Sequence, residues 1–493
     1  MKDSLKGKKK ESGKLKPTER ILSCFEKISA IPRASKCEEK IRRFFLEWAE
    51  NKGFVAKTDE VGNVLVEIPG TNKRKQASPI IIQGHLDMVC EKEPDCQHDF
   101  STDPIKLVHD GDWIHADRTS LGADNGIALA MAMALAEEAN ISHPPLELLF
   151  TVDEETGLTG AGGLKPGFFK GKILLNLDSE DEGVFTVGCA GGRDTFISLP
   201  LQYESVPPNY QAFVIKAFGI TGGHSGVNIN EERANAIQAL VRILDQIRLE
   251  TDLRIIAFYG GTAHNAIPRE SHATIFIPPD DLDKASRVVV KTQRFMESEY
   301  RLTDPKFGGS MSFYPMPVDD RAMTPASTGR VIDLMMALPH GVMARSTEIK
   351  DLVETSNNLA KVSIEGGKLH IETSQRSSVM SRLDLLTTRI ETIAKLAGAE
   401  VKSNKGYPSW QPNLKSPLLL KCLQIYKSQF GKDAKVEVIH AGLECGIIGN
   451  IDSEMDMISF GATLKDPHSP RERLHVPSIE KVWNFLIELL QSF

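Results

Sequence analysis

Four short stretches of this chain place imidazole or carboxylate side chains at the ends of apolar runs: Gly84-His85-Leu86-Asp87, Gly122-Ala123-Asp124-Asn125-Gly126, Asp153-Glu154-Glu155-Thr156-Gly157 and Asp178-Ser179-Glu180. A histidine with several carboxylates is a nitrogen and oxygen donor set, suited to Zn, Mn or Co and ill suited to clusters that need thiolates. Hydrolysis by a pair of such ions needs one carboxylate that bridges them and another that stays uncoordinated and acts as a base. Glu154 and Glu155 meet the second need, because neighbours at a strand end point in different directions. One can hold an ion while the other faces water. His85 and Asp87, two positions apart in an extended segment, leave on the same side, so Asp87 can hydrogen-bond the ring nitrogen that an ion does not use. Each motif alone reads as a solvated turn; four at successive element ends are the signal.

The elements that must carry them alternate apolar runs with helical segments from about Thr18 to Gly192, the mark of an α/β sheet covered on both faces. Runs 79–83 (PIIIQ), 146–152 (LELLFTV) and 172–177 (KILLNL) read as buried strands, and 126–139, rich in Ala and Met, as a buried helix. In open α/β sheets ligands gather at the carboxyl ends of the strands, which is where these motifs stand. After Ala190 the texture changes. Residues 212–314 read strand, helix, strand, strand, helix, strand, the ferredoxin-like order. A further section, 325–403, holds helices and a hairpin closed at Glu365-Gly366-Gly367-Lys368, and the sequence does not decide whether it repeats the section before it. From about Lys405 the α/β texture returns, ending in a helix over 479–491 that Ser478 would cap. The expected organisation is a basic arm (1–17), a catalytic domain in two parts (18–192 and 404–493), and an inserted α+β lid of the dimerisation type (193–403), which leaves a homodimer open.

The remaining features bound the class. The 493 residues are 41% hydrophobic and 25% charged, with no apolar stretch long enough to span a membrane, so the chain reads as soluble. Formal net charge is -7 although the first twenty residues are strongly basic, so the body is acidic and nucleic acid is not the expected partner. The lysine-rich arm has too few apolar residues to stay ordered and lacks the apolar stretch of a secretory signal. Seven dispersed cysteines without CxxC pairs suit a reducing cytoplasm, and none makes a convincing nucleophile. His98, His109, His115, His143, His272, His340 and His370 read as surface or structural residues.

The strings GHLDMV (84–89), GADNG (122–126), DEETG (153–157), NLDSEDEG (176–183) and GCAGG (188–192) closely resemble the M20 metallopeptidases. GGHSGVNI (222–229), NAIPRE (265–270), QRSS (375–378), HAGLECG (440–446) and HSPRERLHV (468–476) are similar to the aminoacyl-histidine, or cytosolic non-specific, dipeptidase branch, and the likeness runs from about 18 to 493. The resemblance implies a zinc-exopeptidase-like catalytic domain holding two divalent ions, zinc first and Mn or Co next, that hydrolyses dipeptides of the Xaa-His or a broader kind. It implies that Asp124 bridges the ions, that His85 and Asp178 complete one site, and that Glu155 and His475 complete the other. Glu154 would be the general base, Asp87 would orient His85, and the peptide bond after Asp124 would be cis. From the lid, His224 would stabilise the oxyanion, Asn265 and Arg376 would bind the substrate backbone and C-terminal carboxylate, and Glu444 would receive its ammonium. His468 competes with His475 for the last ligand position; His475 is preferred because it lies just before Pro477 and the final helix. An N-acyl amino acid deacylase or desuccinylase on the same scaffold is the alternative, and a non-catalytic metal- or peptide-binding protein a more distant one.

Overall fold

The computed structural model describes residues 16–71, 74–138, 140–314 and 321–493. The expected basic arm lies outside the described residues as far as residue 15, and helix Pro17–Ser29 starts where it ends. The chain divides into two units, 1–187 with 413–437 and 447–493, and 188–412 with 438–446. The second unit thus begins before the expected 193, ends after 403, and takes in 438–446 as well. Backbone pairing explains the shift: Cys189 bonds Trp410 in both directions, Gly192 bonds Tyr407, and the Ala190 amide donates to Ile439, so the glycine-rich stretch keeps the company of 407–410 and 439.

The first unit is built on an eight-stranded sheet in the order Val55–Thr58, Val64–Ile68, Leu146–Thr151, Ile80–His85, Ile173–Asn176, Asp456–Ser459, Val184–Cys189, Lys435–Ile439. Its four central strands are parallel. Strands Ile80–His85 and Leu146–Thr151 are buried at every position, which is why they read as largely apolar runs without regular alternation. Helix Ala123–Ala136 is buried on almost all sides, and the small Ala side chains alternating with Met let it lie against the sheet. Register does the positioning. His85 pairs with Thr151 and Gln83 with Asn176, so the polar residues that follow each strand emerge at one edge of the sheet. A small four-stranded sheet that the sequence did not reveal joins Leu464–Lys465, Arg473–His475, Trp113–Ala116 and Leu107–Asp110. The last helix runs from Val476 to Gln491, so Ser478 lies inside it, and its hydroxyl bonds the His475 carbonyl at 2.6 Å. No helix among the described residues is long and apolar enough to cross a membrane.

The second unit resolves the question of a repeat. Strand Gln211–Phe218, helix Ala236–Arg248, strands Arg254–Gly260 and Ser271–Ile277, helix Leu282–Glu299 and strand Gly308–Phe313 form the expected ferredoxin-like module. Strand Gly191–Pro200, helix Pro325–Ala337, strands Val353–Glu365 and Lys368–Ser377, helix Met380–Leu396 and strand Glu400–Ser403 form a second one with the same order of elements. The first module is inserted between the opening strand and the first helix of the second. Within the sheet both follow the same neighbour order, fourth strand, first, third, second, and the second strands of the two modules pair where Gly260 meets Val362. Each module thereby covers the edge that the other would expose. One apolar core runs under both, from Ile237, Leu240 and Leu244 to Ile371, Leu386 and Ile390.

The joint between the modules depends on Gly261, whose φ is +73° and where a Cβ would stand 1.8 Å from the Ala360 carbonyl oxygen. Gly261→Ala should therefore lower unfolding free energy by about 1–3 kcal/mol in chemical denaturation, and an unchanged midpoint would refute this account of the joint.

Candidate active site

At the carboxyl edge of the first unit's sheet, the two oxygens of Asp124 face two different histidines. Asp124 Oδ1 is 3.1 Å from His85 Nε2, and Asp124 Oδ2 is 3.0 Å from His468 Nε2. Asp178 Oδ1 stands 3.4 Å from the same nitrogen of His85, and Glu155 Oε2 stands 3.1 Å from the same nitrogen of His468. Two adjacent donor sets thus share one carboxylate, and donor atoms of His85, Asp124 and Glu155 all lie within 4.8 Å of one another. Glu155 Oε1 and Asp178 Oδ1 are buried without a hydrogen-bond partner among the described residues. Buried carboxylate oxygens without donors are costly unless a cation meets them, and the N/O composition fits divalent ions.

His475 does not join this group. It lies in the small sheet paired with Trp113, and its ring sits 4.8 Å from the Trp113 ring. His468 takes the place foreseen for it, carried on a left-handed residue (φ +56°) in the turn ahead of strand Arg473–His475. Position before the final helix was a poor guide because strand pairing turns the His475 ring onto the tryptophan.

Asp87 organises the other side of the cluster. Fully buried, it stands 3.4 Å from His85 Nδ1, accepts from Ser35 Oγ at 2.7 Å, and accepts the amides of Glu154 (3.0 Å) and Glu155 (3.2 Å). It therefore orients the imidazole and also fixes the turn carrying Glu154 and Glu155. That turn begins at Asp153, in left-handed conformation (φ +50°), whose carboxylate accepts from the hydroxyls of Thr156 and Thr159. The short helix it opens places Glu154 half-buried beside Glu155.

Three residues that hold Asp124 were not singled out in the sequence. The Glu472 carboxylate, 2% exposed, accepts the amides of Leu121 (2.7 Å), Gly122 (2.9 Å), Ala123 (2.8 Å) and Asp124 (3.2 Å). The buried Arg33 guanidinium donates to the carbonyls of Leu86, Asp87 and Gly122. Asn125, after the cis Asp124–Asn125 peptide, accepts the His85 amide at 3.2 Å and donates to the Leu177 carbonyl at 3.0 Å, so it ties the segment of Asp124 to those of His85 and Asp178. Gly84 is required for this contact, since a Cβ there would stand 2.3 Å from Asn125 Oδ1. Glu472 lies inside HSPRERLHV, but a glutamate between two arginines reads as solvated charge.

Electrostatics follow from crowding. Burial opposes charge on His85, yet Asp178, Asp124 and Asp87 outweigh it and hold its pKa well above the ordinary imidazole value. Hydrogen bonds to Asp124 and Glu155 push His468 up to about 11. Burial would raise Asp87, but bonds from His85, Ser35 and the Glu154 amide bring it to about 2. Glu155 and Asp178 are raised, chiefly by burial, and Glu472 by burial and by Asp124.

A family model for peptidase family M20/M25/M40 matches residues 81–492. The chain belongs to the M20 peptidase family. It is 40% identical over 468 residues to the cytosol non-specific dipeptidase of Escherichia coli (strain K12), covering 95% of this chain and 96% of that one. The crystal structure of aminoacylhistidine dipeptidase from Vibrio alginolyticus matches with a TM-score of 0.87 at 35% identity, covering 96% of each chain. Aminopeptidase PepT from Bacillus cereus, at 17% identity and a TM-score of 0.56 over 96% of this chain and 98% of that one, shares the fold. Metal dependence is the norm of the M20 peptidases, and the first unit's His and carboxylate donor set is one that could hold divalent ions.

The residues expected from the lid all lie in the second unit of this M20 peptidase. Strand pair Gly223–His224 and Ala266–Ile267 sets His224 opposite Ala266, and the Asn265 carbonyl accepts the Ser225 amide at 2.8 Å, so His224 and Asn265 are neighbours. His224 Nδ1 accepts from the amides of Gly226 (3.3 Å) and Val227 (3.1 Å), which leaves the ring proton on Nε2. Arg376 is 7% exposed and pairs across the strands with Ser356. Glu444 is buried at the first position of helix Glu444–Ile451.

Two outcomes test the centre. His468→Ala should reduce bound divalent metal from two equivalents to about one by elemental analysis, whereas His475→Ala should retain both; the reverse pattern would restore His475 as ligand. In the metal-free state His85 and His468 hold protons that an ion must displace, so affinity falls as pH falls, by up to about tenfold per pH unit for each proton released. A dissociation constant that stays flat between about pH 6 and pH 8 would contradict this.

Proposed function

We propose that this protein is a metal-dependent dipeptidase that hydrolyses dipeptides, of the Xaa-His kind or more broadly, at a centre of two divalent ions, with zinc the first choice and Mn or Co the next. The observation that carries this reading is Asp124, whose two oxygens are divided between a His85–Asp178 set and a His468–Glu155 set. That the Escherichia coli and Vibrio alginolyticus relatives are dipeptidases supports the dipeptide substrate, and that the former is a cytosol enzyme supports a cytoplasmic location.

When bound, two such ions would lower the pKa of a water and polarise the substrate carbonyl. His85 and Asp178 would hold one ion, His468 and Glu155 the other, with Asp124 between them. Glu154 takes the proton of the attacking water as its oxygen bonds to the peptide carbon, then gives that proton to the leaving amine as the C–N bond breaks. His224, held with its proton on Nε2, donates to the oxyanion, the charge whose stabilisation contributes most in such reactions. Asp87 keeps the His85 ring in place and aims the Glu154 turn through its amide. Asn265 binds the substrate backbone, Arg376 the C-terminal carboxylate, and Glu444 the free ammonium. Arg376 suits its role because, among the described residues, no carboxylate lies within ion-pairing distance of it, and a buried guanidinium without a counter-charge is an anion site.

Glu154→Gln should keep both metal equivalents while kcat falls to less than about a tenth of wild type on a dipeptide. Elemental analysis together with steady-state rates decides it: a variant that turns over faster than that, or that loses metal, removes Glu154 as the base.

A further inference from the structure

Arg376 has a second feature that its role as a carboxylate anchor does not use. Its Nη1 donates to the Tyr407 hydroxyl at 2.8 Å, while its Nε is buried with no partner among the described residues. The Tyr407 oxygen is therefore already an acceptor, and its own O–H must point elsewhere; no acceptor for that proton is present among the described residues. Among the described residues no carboxylate lies within ion-pairing distance of Arg376. Ser356 faces Arg376 across the strands and hydrogen-bonds His440 at 2.7 Å, and burial together with Arg376 pushes His440 down to about 3, so it is neutral. Asp194, whose charge is felt at Tyr407, is engaged with His264 at 3.5 Å and Asn404 at 3.1 Å.

Two glycines of the motif strings owe their identity to this tyrosine. A Cβ on Gly192, of GCAGG, would stand 2.5 Å from the Tyr407 ring and hydroxyl, and one on Gly442, of HAGLECG, would stand 2.8 Å from the ring's other edge. The chain thus clears space on both sides of the ring and holds its hydroxyl against the guanidinium. Burial raises the phenol's pKa, so it keeps its proton at neutral pH.

We infer that Tyr407 is a specificity-determining residue: its O–H and a free N–H of the Arg376 guanidinium are paired donors for the free carboxylate of the substrate's C-terminal residue. This rests on the Arg376 assignment under the proposed function and adds the second donor. The carboxylate accepts from Tyr407 and from Arg376 Nη2, and Tyr407 in turn accepts from Arg376 Nη1, so the three groups form one closed set of charge-assisted bonds. A C-terminal amide presents an N–H₂ and loses the charge, so the pocket selects substrates that end at this position.

The test uses the full chain loaded with metal. Wild type should be inhibited about tenfold more strongly by a free amino acid than by the same amino acid amide, and equal inhibition would overturn the proposal. Tyr407→Phe keeps the ring between Gly192 and Gly442. It should raise KM for a dipeptide about tenfold with kcat within about threefold, and weaken inhibition by the amino acid while shifting inhibition by the amide less than about twofold. Equal weakening towards acid and amide, or an unchanged KM, would show Tyr407 to be packing only. Arg376→Gln separates the two assignments. If it abolishes acid-over-amide discrimination while Tyr407→Phe leaves it intact, the tyrosine falls and the arginine stands; if it leaves discrimination intact, both fall.

Discussion

The first unit depends on a concentration of negative charge that nothing among the described residues fully offsets. Asp87, Asp124, Glu155 and Asp178 converge on two imidazoles at the edge of a buried sheet, and Glu155 Oε1 has no hydrogen-bond donor among the described residues. Removing carboxylates from water is expensive, so an arrangement of this kind is stable only when cations complete it. The raised pKa values of His85 and His468 express the same demand: without an ion, protons are drawn in to supply the missing positive charge. Ligand geometry, metal affinity and protonation are thus one problem.

Holding such a cluster requires a frame that resists its self-repulsion. Glu472 gathers four successive amides at the Asp124 turn, and Arg33 gathers three carbonyls around it, so Gly122 is held through its N–H and its C=O alike. Asn125 adds a bridge from the His85 strand to the Leu177 carbonyl, one residue before Asp178. These contacts leave the Asp124 carboxylate little freedom, which is the preorganisation that electrostatic catalysis requires. Because Glu472 and His468 share one segment, the residue that clamps Asp124 and the residue that shares it are delivered together.

The second unit keeps a buried guanidinium, Arg376, without an ion-pair partner among the described residues, which suits the anion-binding role proposed for it. Its duplicated module hides two sheet edges by pairing them with each other, and it draws His224 and Asn265 from one copy and Arg376 from the other. Arg376 bonds a hydroxyl, and no carboxylate among the described residues lies within ion-pairing distance of it, so its charge remains available.

Much of this was legible in the chain itself, for local physical reasons. Largely apolar runs mark strands buried on both faces, an Ala/Met stretch marks a buried helix, and the carboxyl-end rule places His85, Asp124, Glu154, Glu155 and Asp178 at one sheet edge. The first ferredoxin-like module and the hairpin at Gly366-Gly367 were likewise readable from periodicity and turn chemistry. What only the tertiary structure decided involves partners far apart in sequence. The repeat was hidden because one module interrupts the other, so its opening strand and first helix are separated by more than a hundred residues. His468 and His475 sit seven residues apart in one motif, and only strand pairing with Trp113 turns one ring away. Glu472 and Arg33 look like surface charge until folding buries them, and Tyr407 like an ordinary aromatic until it meets Arg376, because what a side chain can clamp or donate to is set by the groups it meets.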